Sequence, residues 1–244
     1  MTITHSLYTD VGSREVNEDC ISYAGRGGAE CFVLCDGLGG HGKGELASQF
    51  VAASLCESFK SAPDSDSFFE TALTAAQEGL IAEQKRIGAV FEMKTTAVVL
   101  VIEGSRWRWA FIGDSRLYHF RKCKPVFRTL DHSVPQMLAL AGDIKEKQIR
   151  CHPDRNRLLR VMGVEWDSPR YECGSWQELR EGDAFLLCSD GFWEPITEKE
   201  MSRLLKKASG AEDWLAAMSE TVKANGAGTD MDNNSAIAVV CKGG

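Results

Sequence analysis

The sequence predicts an α+β fold. Three observations carry this. Short apolar runs of strand length recur along the chain, as in Cys31–Cys35, Ala97–Ile102, Phe185–Cys188 and Ala236–Cys241. Helical periodicity is confined to two early and two late segments. Strands do not alternate one-for-one with helices, so a parallel βαβ arrangement is excluded in favour of separate runs of each element. About ten strands are expected, and no Pro-, Ser- or Gly-rich linker divides the 244 residues, so 1–244 reads as a single domain.

Taken in order, Thr2 to Asp10 alternates loosely and suits an edge strand. A polar loop, Gly12 to Asp19, carries Arg14 with Glu15, Glu18 and Asp19. Cys20 to Ala24 is a strand, turned by Gly25, Gly27 and Gly28 into the next one, which ends at Asp36. After Gly44, Ala47, Val51, Leu55 and Phe59 repeat at helical spacing up to Pro63 and Asp64. Ser67-x-x-Glu70 matches a capping box and predicts a second helix through Phe69, Leu73, Ala76 and Leu80. Thr95 to Ile102 is β-branched, Glu103-Gly104-Ser105 is a hairpin turn, and Trp107 and Trp109 share the face opposite Arg106 and Arg108. Leu117–Phe120 and Val126–Leu130 are two more strands.

The rhythm breaks over 131–169. Ser133-x-x-Gln136 with Pro135 predicts a helix start, but 143–157 is polar and basic, as expected of a mobile surface insert. Tyr171–Trp176 and Ala184–Leu187 return to strand. Thr197-x-x-Glu200 opens a helix carrying Met201, Leu204, Leu205 and Ala208. Another carries Trp214, Leu215, Met218 and Val222, and Ser235–Cys241 closes as a strand.

Composition narrows the function. A net charge of -7 argues against nucleic acid or an anionic membrane as the main partner. No apolar run approaches the roughly 20 residues of a membrane span, and Met1–Ser6 has neither a basic start nor an apolar signal core. Nine cysteines, an odd number without a CxxC pair, fit buried free thiols in a reducing cytoplasm.

One pattern recurs at strand ends. Cys31–Cys35 stops at Asp36, with four glycines in the next six residues. Trp109–Ile112 leads to Asp114, and Phe185–Cys188 to Asp190, while Asp230 and Asp232 precede the last strand. Carboxylates gathered at one end of a fold repel one another, and a divalent cation relieves that repulsion. All-oxygen donors suit Mg²⁺ or Mn²⁺ rather than zinc.

Eight motifs in order then carry a resemblance: Gly12-x-Arg14-x-x-Asn17-Glu18-Asp19, Asp36-Gly37-Leu38-Gly39-Gly40-His41, Thr95-Thr96, Gly113-Asp114-Ser115-Arg116, Asp131-His132-Ser133, His152-Pro153-x-Arg155-Asn156, Ser189-Asp190-Gly191 and Asp232-Asn233. The chain resembles the metal-dependent serine/threonine protein phosphatases of the PP2C (PPM) type, in the compact bacterial form. The resemblance implies an α-β-β-α sandwich of two antiparallel sheets flanked by helices, with 131–169 as a flap beside the active site. It implies two Mn²⁺ or Mg²⁺ ions, bridged by Asp36, with the Gly37 carbonyl, Asp190 and Asp232 completing the ligands, and Asp114 as ligand to a third. Glu18, Asp19 and Asn233 stand behind these ligands, the two acids holding water. The implied reaction is hydrolysis of phosphoserine and phosphothreonine by activated water, without a covalent phospho-enzyme. Phosphoproteins made by a serine/threonine kinase are then the partners.

Chemistry supports the assignment independently. A phosphate monoester is anionic and repels hydroxide. Two cations generate a nucleophile near neutral pH and offset phosphoryl charge. Arg14 is the candidate to grip phosphate oxygens with its planar fork. Leu38 stands where eukaryotic relatives place a general-acid His. His41 is the alternative for that role, set against a hydrogen bond within the glycine turn. His132 and His152 are read as anchors of the insert, and Arg150, Arg155 and Arg157 as a surface for an acidic phosphopeptide. Cys188 heads no phosphate-cradling loop ending in Arg, which excludes a cysteine phosphatase. The alternatives are a two-metal hydrolase of small phosphate esters and a silent phosphoprotein-binding module of the same fold.

Overall fold

A computed structural model of the chain describes residues 2–39 and 43–243. Strands Thr2–Asp10 (β1), Asp19–Arg26 (β2) and Ala29–Leu38 (β3) precede two long helices, Gly44–Ser61 (α1) and Ser65–Ile87 (α2). Lys94–Thr95 (β4), Ala97–Glu103 (β5), Arg106–Ile112 (β6), Arg116–Arg121 (β7) and Lys124–Arg128 (β8) follow. The insert holds Val134–Ala141 (α3) and a 3₁₀ turn, Glu146–Cys151. Then come Glu172–Cys173 (β9), Gln177–Glu178 (β10), Asp183–Cys188 (β11), Asp190–Trp193 (α4), Glu198–Leu205 (α5), Ala211–Gly226 (α6) and Asn234–Lys242 (β12).

All pairings are antiparallel. One sheet runs β1-β12-β11-β7-β8. The other runs β10-β6-β5-β3-β2, with β4 on β3 and β9 on β6. Both sheets are buried on both faces, which is why their central strands read as unbroken apolar runs rather than as alternation. Side-chain parity divides them. Phe32, Leu34, Phe185, Leu187, Ile237 and Val239 fill the space between the sheets. Cys31, Val33 and Cys35 point the other way, onto Val51, Leu55 and Phe59 of α1 and Leu73 and Leu80 of α2. Leu186, Cys188, Ala236 and Ala238 point onto Trp214, Met218 and Val222 of α6. The predicted α+β class and the four-layer α-β-β-α sandwich are therefore both present.

Several elements differ from expectation. Helix α2 begins at Ser65, capped by Asp64, whose carboxylate accepts from the Ser67 amide at 2.7 Å. Asp64 thus starts the second helix instead of ending the first, since an extended Asp three residues before that amide satisfies it directly. The run from Thr95 breaks at Thr96, whose amide donates to the Asp36 carbonyl and whose hydroxyl accepts from the Asp36 amide. Tyr171–Trp176 shrinks to β9, because Trp176 leaves the sheet to stack under Arg106. Ser133 and Thr197 cap their helices as predicted.

The insert is more deeply anchored than a surface flap. Asp131, His132, Ser133, Gln136, Ile149 and Met162 are all buried. Arg116 holds Asp131 through two bonds of 2.8 and 2.7 Å, donates to Tyr118 Oη and lies over the Trp193 ring.

Candidate active site

The strand-end aspartates meet at one end of the sandwich. Asp36 ends the apolar run of β3 and Asp114 follows β6, both in one sheet. Asp190 follows β11 and Asp232 precedes β12 in the other. All four line a cavity of about 560 Å³, together with Gly37, Glu18, Glu45, Asn233 and Arg14. Asp19 sits opposite Asp36 in the β2–β3 register. Its Oδ2 accepts from Ser189 Oγ at 2.8 Å, and Ser189 is in turn bonded through main chain and hydroxyl to Ser235. This chain of bonds crosses from one sheet to the other directly behind the aspartates.

Close backbone approach shapes the floor. A Cβ on Gly37 would meet the Gly44 carbonyl oxygen at 2.3 Å, and one on Gly191 would meet that of Asn233 at 2.2 Å. Glycine is required at both.

Asp36 and Asp190 keep some contact with the cavity but are enclosed by protein elsewhere, and their electrostatics follow. Burial holds Asp36 well above the usual carboxylate range, and the charges of Asp19, Asp190 and Asp114 push it further. Burial and Asp232 raise Asp190 to about 6, against a bond from the Gly191 amide and one from Asp36. Burial raises Asp19 to about 7, tempered by Ser235 and Ser189. Burial, then Asp190 and Asp131, raise Asp114. Glu18 is raised by burial and by Glu45. The cavity is a concentration of negative charge awaiting positive counter-charge.

The donor set fits hard divalent cations. Among the described residues it consists of carboxylates and a backbone turn, without imidazole or thiolate. Buried oxygens without any partner, Asp19 Oδ1 and Glu45 Oε2, stand beside it. Among the described residues no three such side chains converge closely enough to grip one ion alone. Mg²⁺-like ions keep several waters and take few protein ligands each.

The predicted residues fare as follows. Asp36, Gly37, Asp114, Asp190, Asp232, Glu18, Asn233 and Arg14 line the same cavity, and Asp19 lies behind it. His41 falls outside the described residues. Asn233 clamps the Arg14 loop: its Nδ2 donates to Val11 and Val16 carbonyls at 2.8 and 3.0 Å, and its Oδ1 accepts from the Glu18 amide. Arg14 donates to both Asp232 oxygens at 3.0 and 3.1 Å and to Asp230 at 3.2 Å. Its fork is therefore held at the cavity wall, half exposed.

His132 accepts from the Gly113 amide at Nδ1 and stacks on Phe111, which makes it an anchor. His152 accepts from the Asp154 amide, a local turn. The basic surface expected on the insert is not as drawn. Arg150 is turned inward, donating to the carbonyls of Trp193 and Ile196 and to Glu198. Arg155 pairs with Glu194 and Arg157 with Asp154. Arg150 was misread because its partners lie more than forty residues downstream. Glu45 was missed. An acid in a first helical turn ordinarily serves the helix dipole, and nothing local marks this one as facing the cavity.

Comparison with known proteins agrees with this geometry. The family model described as protein phosphatase 2C matches residues 10–234. Serine/threonine protein phosphatase PstP of Mycobacterium tuberculosis is 29% identical over 87% of the chain, which spans 40% of that relative's length. Protein phosphatase PhpP of Streptococcus pneumoniae is 32% identical, with 80% of this chain and 81% of that protein covered. The crystal structure of Stp1 from Staphylococcus aureus superimposes with a TM-score of 0.90 at 27% identity, covering 100% of this chain and 96% of that one. The catalytic domain of PstP, crystallised with two manganese ions, gives a TM-score of 0.81 at 26% identity, covering 99% of each chain. With 225 consecutive positions matched and the strand-end carboxylates gathered in one cleft, this chain belongs to the protein phosphatase 2C family.

Proposed function

We propose that the chain hydrolyses phosphoserine and phosphothreonine in proteins, with two Mn²⁺ or Mg²⁺ ions held by Asp36, Asp190, Asp232 and the Gly37 carbonyl, and a third by Asp114. The observation that carries this reading is the convergence of four aspartates from both sheets on one cavity with a guanidinium at its wall. The presence of two manganese ions in the PstP catalytic domain supports the same stoichiometry. Bound there, divalent cations would lower the pKa of a water and offset charge on the phosphoryl group.

The chain's own residues do the rest. Arg14, able to exchange Asp232 for phosphate oxygens, orients the ester. Asn233 keeps the Arg14 loop against the cavity. Glu18, Asp19 and Glu45 offer hydrogen-bond acceptors to water behind the aspartates. No covalent phospho-enzyme forms in this reading. Cys188, beside Ser189, is wholly buried and burial pushes its thiol far up, which removes the thiolate a nucleophile needs. Residues 1–244 act as one phosphatase domain, with 131–169 bordering the cleft.

The partners in this reading are phosphoproteins generated by a serine/threonine kinase. No described helix is long and apolar enough to cross a membrane. Nine free thiols support a reducing, cytoplasmic setting.

The test is turnover of an aryl phosphate and of a phosphothreonine peptide, with and without Mn²⁺. Metal-dependent turnover of both is expected, and Asp190→Asn should lower kcat by about a thousandfold or more. Turnover of small esters alone would point to a small-molecule hydrolase. Binding without turnover would point to a silent module.

A further inference from the structure

A second cavity, of about 420 Å³, opens off the first and shares Leu38, Asn156 and Leu158 with it. Its charge is the reverse. Lys94, Arg160 and Arg170 line it, and its described lining contains no acid. This stands out in a chain of net charge -7 and beside a catalytic cavity ringed by carboxylates. Arg160 lies 3.5 Å from Glu172, whereas Lys94 and Arg170 form no ion pair with a described residue, and Arg170 is exposed. Leu159 and Val164, 48% and 38% exposed, line it as well.

The groove is built, not incidental. Its wall, residues 157–164, is tied down along its length. The Arg157 carbonyl accepts from the Val134 amide, the Leu159 amide donates to the His132 carbonyl, and Met162 exchanges two bonds with Thr95. Two glutamines of α2, each 2% exposed, finish the job. Gln84 donates to the Gly163 carbonyl at 2.8 Å, and Gln77 accepts from the Gly163 amide and donates to the Val164 carbonyl, both at 2.8 Å. Buried amides placed this way fix the wall before any ligand arrives, which lowers the ordering cost of binding.

We propose that this groove seats the stretch of a phosphoprotein substrate next to the phosphorylated residue, and that it selects an acidic side chain there, against Lys94, Arg160 and Arg170. The inference rests on the phosphatase reading above and adds the substrate class. Charge complementarity commits the occupant. A carboxylate meets three cations in the groove, whereas a basic residue meets only repulsion, and the leucine and valine accept the neighbouring apolar stem. A third cavity, which shares Arg14, Asp190 and Asp232 with the first, adds Glu194 and Asp230 and has no such preference for anions.

The experiment uses the full chain with Mn²⁺ and labelled phosphothreonine peptides in which each flanking position is Glu or Lys. Peptide kcat/KM and peptide affinity by fluorescence anisotropy are measured for the parent and for the Lys94→Gln, Arg170→Gln double variant. Arg170 is exposed and Lys94 half-buried, and both changes keep a polar side chain of similar length, so the fold is spared. At low salt, Glu at a flanking position should favour the parent by about tenfold over Lys, and the double variant should lose that preference. Equal use of Glu and Lys peptides by the parent, or a preference that survives the double variant, would overturn the proposal. Aryl phosphate turnover, which needs no groove, reports the catalytic centre separately. If it is absent the phosphatase reading fails, and the anisotropy preference still decides the groove.

Discussion

Two arginine–aspartate pairs flank the cleft with the same bidentate chemistry and opposite surroundings. Arg116 and Asp131 are 3% and 1% exposed, and the guanidinium is also bonded to Tyr118 and covered by Trp193. Arg14 and Asp232 are 43% and 42% exposed, with Asp230 as a second partner. The first pair is closed off from water: without Asp131, Arg116 would be a bare charge in the interior, while Asp131 has only Arg128, at 3.5 Å, as a further cation. The second can trade partners at little cost, because water and other anions reach both groups. Burial, not residue identity, separates a fixed strut from a group free to bind substrate.

That contrast can be broken by measurement. The largest effect is expected from Asp131→Ala, which strands Arg116 and should cost about 3–5 kcal/mol of stability in urea unfolding. A cost below about 1 kcal/mol would place this pair with the exposed kind. Arg14→Gln should move stability by no more than about 1 kcal/mol. The same change should raise KM for aryl phosphate about 10- to 100-fold through loss of charge-assisted bonds. An unchanged KM would remove Arg14 from phosphate binding.

The smallest effect lies at a third pair of intermediate burial, Arg121–Asp183. Burial pushes Asp183 up, but bonds from Arg121 and the Arg180 amide, with the nearby His119 ring, outweigh it, and its pKa is lowered. Burial lowers His119 as well, and its Nε2, although 3.1 Å from Asp183, is not aligned for a hydrogen bond. The unfolded chain therefore takes up a proton at His119 as pH falls below about 6.5, while the folded chain resists it. Stability from this residue is complete above that pH and is lost as pH falls through the lower folded value. Asp183 adds a loss only under stronger acid. His119→Phe should flatten the decline between pH 7 and 5 relative to the parent. Identical slopes would show that His119 does not titrate differently on folding.

Much of the fold was legible because its cues are local. Apolar runs buried on both faces announce strands, and Thr197-x-x-Glu200 announces a helix that does form with both reciprocal bonds. The site was legible for a related reason: an Asp directly after such a run lies at a strand end wherever the strand goes. What stayed hidden depends on partners distant in sequence. Arg150 looks like surface charge until the carbonyls of Trp193 and Ile196 surround it. Gln77 and Gln84 look like solvent-facing helix residues until Gly163 and Val164 arrive. Glu45 gains meaning only when the fold brings it to the cavity that Asp190 and Asp232 also line.

The pairing of β1 with β12 sets a timetable. Thr2 lies beside Lys242 and Asp10 beside Asn234, so β1 waits without this partner until the chain through Lys242 has left the ribosome. Such distant pairing makes folding slow. Asp232 and Asn233 sit at the threshold of that closing strand. The cavity shared by Asp36, Asp114, Asp190 and Asp232 is thus incomplete until β12 has emerged and paired with β1 and β11.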